Sequence, residues 1–476
     1  MDSLWYSTRA MPAHRRVGAY IADTAPLGLL FKLVRDIPAA DPYLVGGTVR
    51  DAVLGVVPHR AHVLVRDVAP PLLHKFLNAN GAVTQHTNGH WHVTPRGTHE
   101  TISVSVPHIR SLNHSGTATR VPAHERSLHD DLAARDFSIN SMAYSLKDGI
   151  LHDPHGGLHD LINKKTIRTL HHPELHLSQE PALVSRAMRL ASQYELTFDQ
   201  ALWNAIPRHH SSVHRTDHDE DGNNQYVIPR VRLGHDVLMA LAQNPKYALT
   251  LLKDSGALES LAPELLQHGA TIHDDGETGW QKTNRLLDIL EHHDITRAYG
   301  TAKKSATLYL SGLLALLDDR AMGALRNIVT RLHLHVVDDH RLHFDHTDAG
   351  WMLNKTVTLT QGHATDLSPA ERERLVRGQR GAELLALLDA TVSAKHEHGI
   401  ARENLVDLRN ERDKWLNNPA PDELVRGRDL LALNFSPGAH LRGTLDKIRS
   451  AQLDGHLSSR AAALDFARYI LATSSF

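Results

Sequence analysis

Residues 43–55 read Tyr43-Leu44-Val45-Gly46-Gly47-Thr48-Val49-Arg50-Asp51-Ala52-Val53-Leu54-Gly55. The apolar triplet predicts a short strand, Gly46-Gly47 a tight turn, and Thr48 to Leu54 a helix that Gly55 stops. Upstream, Pro26 opens a helix over 26–37 whose apolar positions are Leu27, Leu29, Leu30, Leu33 and Val34, and Pro38 ends it. Downstream, His62 to Val68 and Thr101 to Val106 alternate in strand fashion, with a strand at Trp91 to Thr94 between them. Strands interleaved with helices predict a small mixed α/β domain over 26–170, preceded by an extension over 1–25.

From Pro181 the apolar spacing is helical. The polar, acidic stretch Arg215 to Asn224 (RTDHDEDGNN) is expected to be a mobile loop, and residues 270–279 (ATIHDDGETG) a second break. Helical periodicity covers 229–266, 280–345 and 367–416, and Asn418-Pro419-Ala420-Pro421 is a linker to a helical tail. The fold class is therefore α+β, a mixed α/β head followed by an all-helical neck, body and tail. The segments are 26–170 for the head, 171–269 for the neck and its module, 270–416 for the body and 417–476 for the tail.

The 476 residues carry 52 basic and 54 acidic side chains, a formal charge of −2, so no global field draws in nucleic acid. Any RNA affinity must come from local basic patches. The chain has no cysteine, which excludes disulfides, thiolate metal sites and cysteine nucleophiles. No apolar run reaches the roughly 18 residues of a membrane span, so no membrane partner is expected. The 37 histidines are spread over the whole chain and read as compositional bias. Arg9, Arg15 and Arg16 near the start, with Asp2 the only acid in the first 20 residues, give a composition faintly like a mitochondrial presequence. The expected compartment is the cytoplasm or the mitochondrial matrix.

Four ordered motifs resemble the class II tRNA nucleotidyltransferase (CCA-adding enzyme) and bacterial poly(A) polymerase family. They are YLVGGTVRDAVLG (43–55), the run from Arg135 to Leu170 that opens RDFSIN, SRAMRLASQYELTFD (185–199), and the helical stretch 227–265. The tail 424–467 resembles the C-terminal module of the CCA-adding branch. The resemblance implies a nucleotidyltransferase head in which Gly46 and Gly47 let the backbone approach a triphosphate. Arg50 and Asp51 follow on the helix, and Arg135, Asp136 and Asn140 match positions that contact the incoming nucleotide. Arg186 and Arg189, three apart on one helix face, become candidates for RNA phosphate. For Arg50, Asp51, Arg135, Asp136 and Asn140 the competing reading is a polar network inside the domain. For Arg186 and Arg189 it is a solvated helix edge.

The chemistry of such an enzyme needs two Mg²⁺ ions on carboxylate oxygens. The resemblance places an Asp-x-Asp pair on the strand after Gly55, where this chain has Arg60 and His62, and a third carboxylate on the strand 101–106, where the matching face offers Ser103. Arginine has no lone pair to give, and histidine is a poor magnesium ligand. The family's base-reading Glu-Asp-x-x-Arg is matched by Gln179-Glu180-Pro181-Ala182-Leu183, without the arginine. No catalytic residue is therefore assigned, and no cofactor is expected. The leading expectation is a catalytically inactive RNA-binding descendant, a structural or binding part of a ribonucleoprotein, with tRNA or structured RNA as partner and other proteins of the particle beside it. The alternative is an active nucleotidyltransferase holding Mg²⁺ on Asp67, Glu100 or Asp136. A third is an HD-type phosphohydrolase using residues such as His293, Asp318, Asp319, His333, His335, Asp339, His340, His343, Asp345 and His346.

Overall fold

The computed structural model describes residues 11–85, 90–107, 110–112, 118–120, 127–218, 224–293, 305–337, 339, 342–417 and 420–473. They form two compact units, 1–212 and 213–476. Asp2 and Arg9 of the presequence-like stretch lie outside the described residues, as do His340 and the linker residues Asn418 and Pro419.

The first unit is built on a seven-stranded sheet. Its strands are β1 (Asp41–Val45), β2 (His62–Arg66), β3 (Gly81–Gln85), β4 (Trp91–Pro95), β5 (Ile102–Ser105), β8 (Ala143–Ser145) and β9 (Leu151–His152). Arg110–Leu112 and Ala118–Arg120 pair separately as β6 and β7. The sheet order is β3-β4-β5-β2-β1-β8-β9, antiparallel at every pairing except β2 with β5. Alternation sorts the side chains: Val63, Val65, Ile102 and Val104 share one face, while Tyr43, Val45, Leu64 and Ala143 share the other with Leu132. The helix Gly28–Asp36 replaces the expected 26–37 helix after a 3₁₀ turn at Ala25–Leu27. Within the 1–25 extension, the helix Ala13–Asp23 buries Val17, Tyr20 and Ile21, so the core of this unit begins ahead of residue 26.

The neck helix, Ala182–Tyr194, belongs to this first unit and buries Leu183, Val184, Ala187, Met188 and Leu190. Leu183, at the position of the family's base-reading arginine, is fully buried. Burying such a side chain is worth about 1.5–3 kcal/mol, so the position now serves the core.

The second unit is helical. Its central helix, Ala306–Ala315, is buried along its whole length and contacts the helices Gly279–His292, His346–Gln361 and Gly378–Ala394. His346–Gln361 fills the interval between the two expected helical regions. Asp345 caps its N-terminus by accepting from the N–H groups of Thr347 and Asp348. The tail has its own small core of Val425, Leu430, Phe435, Ile448, Ala463 and Ala467. Its helix Ala439–Leu453 is tied to the helix Pro369–Val376 by a buried two-pronged pair, Arg449 Nε to Glu373 at 3.0 Å and Nη2 at 2.6 Å.

Two expectations are corrected. Arg215 to Asn224 is not simply a loop: Thr216–His218 (β12) and Asn224–Tyr226 (β13) form an antiparallel hairpin, with 219–223 outside the described residues. Together with the parallel pairing of Thr166–Ile167 (β10) and Thr197–Phe198 (β11), this makes the region after the head mostly rather than wholly helical. Backbone pairing across a polar stretch leaves no apolar alternation, so the sequence pattern did not reveal it.

His268 is buried, its Nε2 has no partner, and its pKa is lowered to about 4 by burial, with the charges of His273 and Arg320 adding to the effect. The unfolded chain therefore takes up this proton first, and stability drops as pH falls from 6.5 towards 4. Replacing His268 with Leu is expected to shrink the loss of Tm between pH 7 and pH 5 relative to the parent chain, as measured by thermal melts at both values.

Candidate nucleotide site

The glycine turn joins β1 to the helix Gly47–Leu54. Gly46 has φ +65° and ψ −132°, a backbone that side chains resist. A Cβ there would stand 2.5 Å from Arg135 Nη1. Conformation is what requires glycine here, and Arg135 lies against the space its missing side chain leaves. Arg135 spends Nε and Nη2 on Asp131, at 3.2 and 2.8 Å, which leaves Nη1 at the turn.

Arg50 does not face a phosphate. Its guanidinium is buried and donates from Nε and Nη2 to Asp51 Oδ1 at 2.9 and 2.7 Å. Nη1 donates to Asn140 Oδ1 at 2.6 Å and Nη2 also to Tyr194 Oη at 2.8 Å. Tyr194 in turn donates to Asp51 Oδ1 at 2.6 Å. Asn140 Nδ2 donates to Asp136 Oδ1 at 2.9 Å, and Asp136 Oδ2 accepts from Arg186 at 2.7 Å. Burial alone would push the Asp136 carboxyl up, but Arg186, Asn140 and the Phe137 N–H hold it below the ordinary range. Arg50, Asp51, Asp136 and Asn140 thus bond to one another in an internal network, the arrangement that the competing reading of the motifs expects. Arg186 faces inward to Asp136 rather than standing on a solvated edge. Arg189 donates to Gln193 at 3.2 Å on its own helix.

The motif Arg135–Asn140 is also braced from below. Ser138 donates to the buried carboxylate of Asp160 at 2.6 Å, which accepts from Arg168 Nε at 2.9 Å. Sequence reading missed Tyr194, Asp160 and Arg168. Tyr194 carried a usable signal, since it lies eight residues after Arg186 and so shares its helix face.

The expected carboxylate positions converge as the strand pattern required. Arg60 lies in the turn just before β2 rather than on it, and His62 opens the strand. Thr48 on the glycine-turn helix fixes both: its hydroxyl donates to the Arg60 carbonyl at 3.4 Å and accepts from the His62 N–H at 2.8 Å. Register then sets Ser103 beside His62 on β5 and His92 beside Ser103 on β4. Three adjacent strands thus present His62, Ser103 and His92 in one row on one face. Arg60 Nη1 stands 3.2 Å from His92 Nε2. Arginine can only donate, so that nitrogen accepts and a neutral His92 ring carries its proton on Nδ1. The His62 ring keeps solvent contact, yet it is sunk among protein atoms. Burial and then Arg135, Arg60, His90 and His92 lower its pKa to about 4.

These residues do not fit a magnesium pair. The position that should gather negative charge holds two guanidinium groups, imidazoles and one hydroxyl. The substitute carboxylates are elsewhere. Asp67 lies beyond the far end of β2, five residues and about 16 Å along the strand from His62. Glu100 is exposed ahead of β5, and Asp136 is committed to Arg186. In the second unit, no group of three His, Asp or Glu side chains among the described residues could hold a metal. His293 pairs with Asp389 at 2.8 Å and His235 with Asp339 at 2.9 Å, which gives the phosphohydrolase reading no support.

Removing one member of the buried network leaves an uncompensated charge. Arg50→Met is expected to destabilise the chain by roughly 3 kcal/mol. Tyr194→Phe should cost about 1 kcal/mol, one hydrogen-bonding hydroxyl. Urea unfolding followed by circular dichroism reads both, and equal stability of all three proteins would show the network to be idle.

Residues 42–168 match the poly A polymerase head domain. Among solved structures, the Bacillus stearothermophilus CCA-adding enzyme in complex with CTP is 18% identical with a TM-score of 0.58, over 94% of this chain and 100% of that one. The Thermotoga maritima CCA-adding enzyme complexed with tRNA is 18% identical with a TM-score of 0.54, over 96% of this chain and 98% of that one. A CCA-adding enzyme structure with CTP is 17% identical with a TM-score of 0.56, over 97% and 98%. Residues 42–168 thus form a poly A polymerase head domain, and the chain as a whole has the fold of the CCA-adding enzymes.

Proposed function

We propose that this chain is an RNA-binding relative of the tRNA nucleotidyltransferases that no longer polymerises and serves as a structural or binding component of a ribonucleoprotein. The observation that carries this reading is the row His62–Ser103–His92 with Arg60 and Arg135 beside it. A transferase of this fold must steady a nucleotide's phosphates and a developing oxyanion with divalent metal. Here the metal ligands are replaced by groups that repel cations. Leu183 likewise removes a hydrogen-bonding side chain from the neck and commits the position to the core.

The RNA partner rests on likeness. A protein of the same fold is known complexed with tRNA, and the present chain spans nearly its whole length. The charge of −2 makes recognition a matter of local patches and shape rather than of a general field. Binding should therefore favour structured RNA over single strands of equal length and weaken steeply with salt.

Incubation of the purified chain with Mg²⁺, labelled CTP and ATP, and a tRNA ending before its terminal CCA is expected to give no extension, while a gel shift shows the tRNA bound. Extension at rates comparable with a CCA-adding enzyme, or no shift with any structured RNA, would overturn the reading.

A further inference from the structure

We propose that the head carries a second ligand site, a cavity at the end of β1 and β2 away from the glycine turn, that takes a nucleobase with two neighbouring hydrogen-bond acceptors, guanine first among them. The proposal asks nothing of the glycine turn and stands whether or not that turn still polymerises.

Register builds the cavity. β1 sets Asp41 beside Arg66 and Tyr43 beside Leu64 on β2, and β8 sets Ala143 beside His152 on β9. The helix Leu128–Ala133 lies over this face, with Leu132 and Leu128 packed in one cluster with Tyr43, Val45 and Leu64. Its first turn, the sheet and the turn after β9 enclose about 640 Å³, with Tyr43, Arg66, His129 and His152 in the walls. Small-molecule sites run from roughly 300 to 1,000 Å³. Arg66 stands four residues, about 13 Å, along β2 from His62, so the cavity is separate from the site at the glycine turn.

The polar lining is short of acceptors. Both oxygens of Asp153 are taken by the N–H groups of Gly157 and Leu158, at 2.7 and 2.9 Å. Asp41 accepts from the Tyr43 hydroxyl at 2.6 Å, and Ser127 is closed in a capping box with Asp130. Arg66 is poorly served. Its Nη groups stand 3.8 Å from Asp41 and 3.9 Å from Asp67, beyond hydrogen-bond range, and its Nε is buried without a partner. His152 Nε2 is buried without a partner as well. The two carboxylates offset the charge of Arg66 and leave its donors unused, so the cavity lacks acceptor atoms rather than negative charge. The Tyr43 and His152 rings meet edge to face, centroids 5.7 Å apart and planes at 74°, and give a planar ligand an aromatic corner. A guanidinium spans two adjacent acceptors with its fork, and guanine offers O6 and N7 on one edge. Adenine puts an amino group where O6 would be, so that a donor faces donors. A base seated here is stacked and hydrogen-bonded at once, the manner in which unpaired bases are recognised.

The base can come from a free nucleotide or from an unpaired residue of an RNA strand, and the chemistry at the site is shared. The probe is guanosine, which has no phosphate to engage the glycine turn, titrated calorimetrically into the full chain. Saturable binding is expected, with adenosine at least tenfold weaker. Arg66→Gln should weaken guanosine at least tenfold with the thermal melt unchanged, because Arg66 makes no short ion pair. Arg66→Lys should not restore binding, since an ammonium is a point donor without a fork. Histidine ring signals in proton–carbon spectra give a reading that needs no variant: guanosine is expected to shift His129 and His152 and to leave His62 and His92 in place. No saturable binding, equal affinity for adenosine, parental affinity in Arg66→Gln, or shifts confined to His62 and His92 overturns the proposal. Displacement of guanosine by GMP but not by a short single-stranded RNA containing guanine assigns the cavity to a free nucleotide; displacement by both assigns it to RNA. Extension of tRNA would end the non-catalytic reading and leave this site standing, whereas a silent, RNA-binding protein that ignores guanosine would do the reverse.

Discussion

The buried guanidinium of Arg50 is the point on which the first unit turns. It joins the glycine-turn helix to Asn140 of the second motif and to Tyr194 at the end of the neck helix. Asn140 passes the connection to Asp136, and Asp136 to Arg186, back on the neck helix. The neck is therefore held at two positions eight residues apart, by the Tyr194 hydroxyl and by the Arg186–Asp136 ion pair, and only the second cannot be broken without stranding a charge. On the same helix Leu183, Val184 and Leu190 are buried, so apolar packing adds to the hold on the neck.

This arrangement gives the two nucleotide-site signatures a structural duty. Arg50, Asp51, Asp136 and Asn140 hold the glycine-turn helix, the second motif and the neck helix together. Two acidic groups side by side repel each other and cost stability unless a cation sits between them. Arg60, His62 and Ser103 bring no such repulsion, and Thr48 and the β2–β5 register hold their backbone.

Beside the glycine turn this head places Arg135, paired with Asp131, and the row His62–Ser103–His92 with Arg60. The neighbouring histidines matter here in a way that their abundance concealed. Of the 37 in the chain, His90 and His92 stand near His62 and contribute to keeping it neutral.

The sequence by itself determined the family of the head, the mixed α/β character of residues 26–170, the helical character of most of the chain beyond residue 170, and the absence of the carboxylates. Each of these is local: a glycine pair after an apolar triplet, a period of two or of 3.6, a residue type at a strand position. Even the placement of Ser103 opposite His62 was legible, because strand parity fixes faces once the pairing is known. What only the tertiary structure decided was where the polar side chains of the motifs point. Arg50, Asp51 and Asn140 look alike in sequence whether they serve a nucleotide or one another. The choice was made by Tyr194 and Arg186, which arrive from more than a hundred and about fifty residues away respectively. Long-range partners leave no periodic trace, so the difference between a binding site and a buried network is a property of packing and not of the motif.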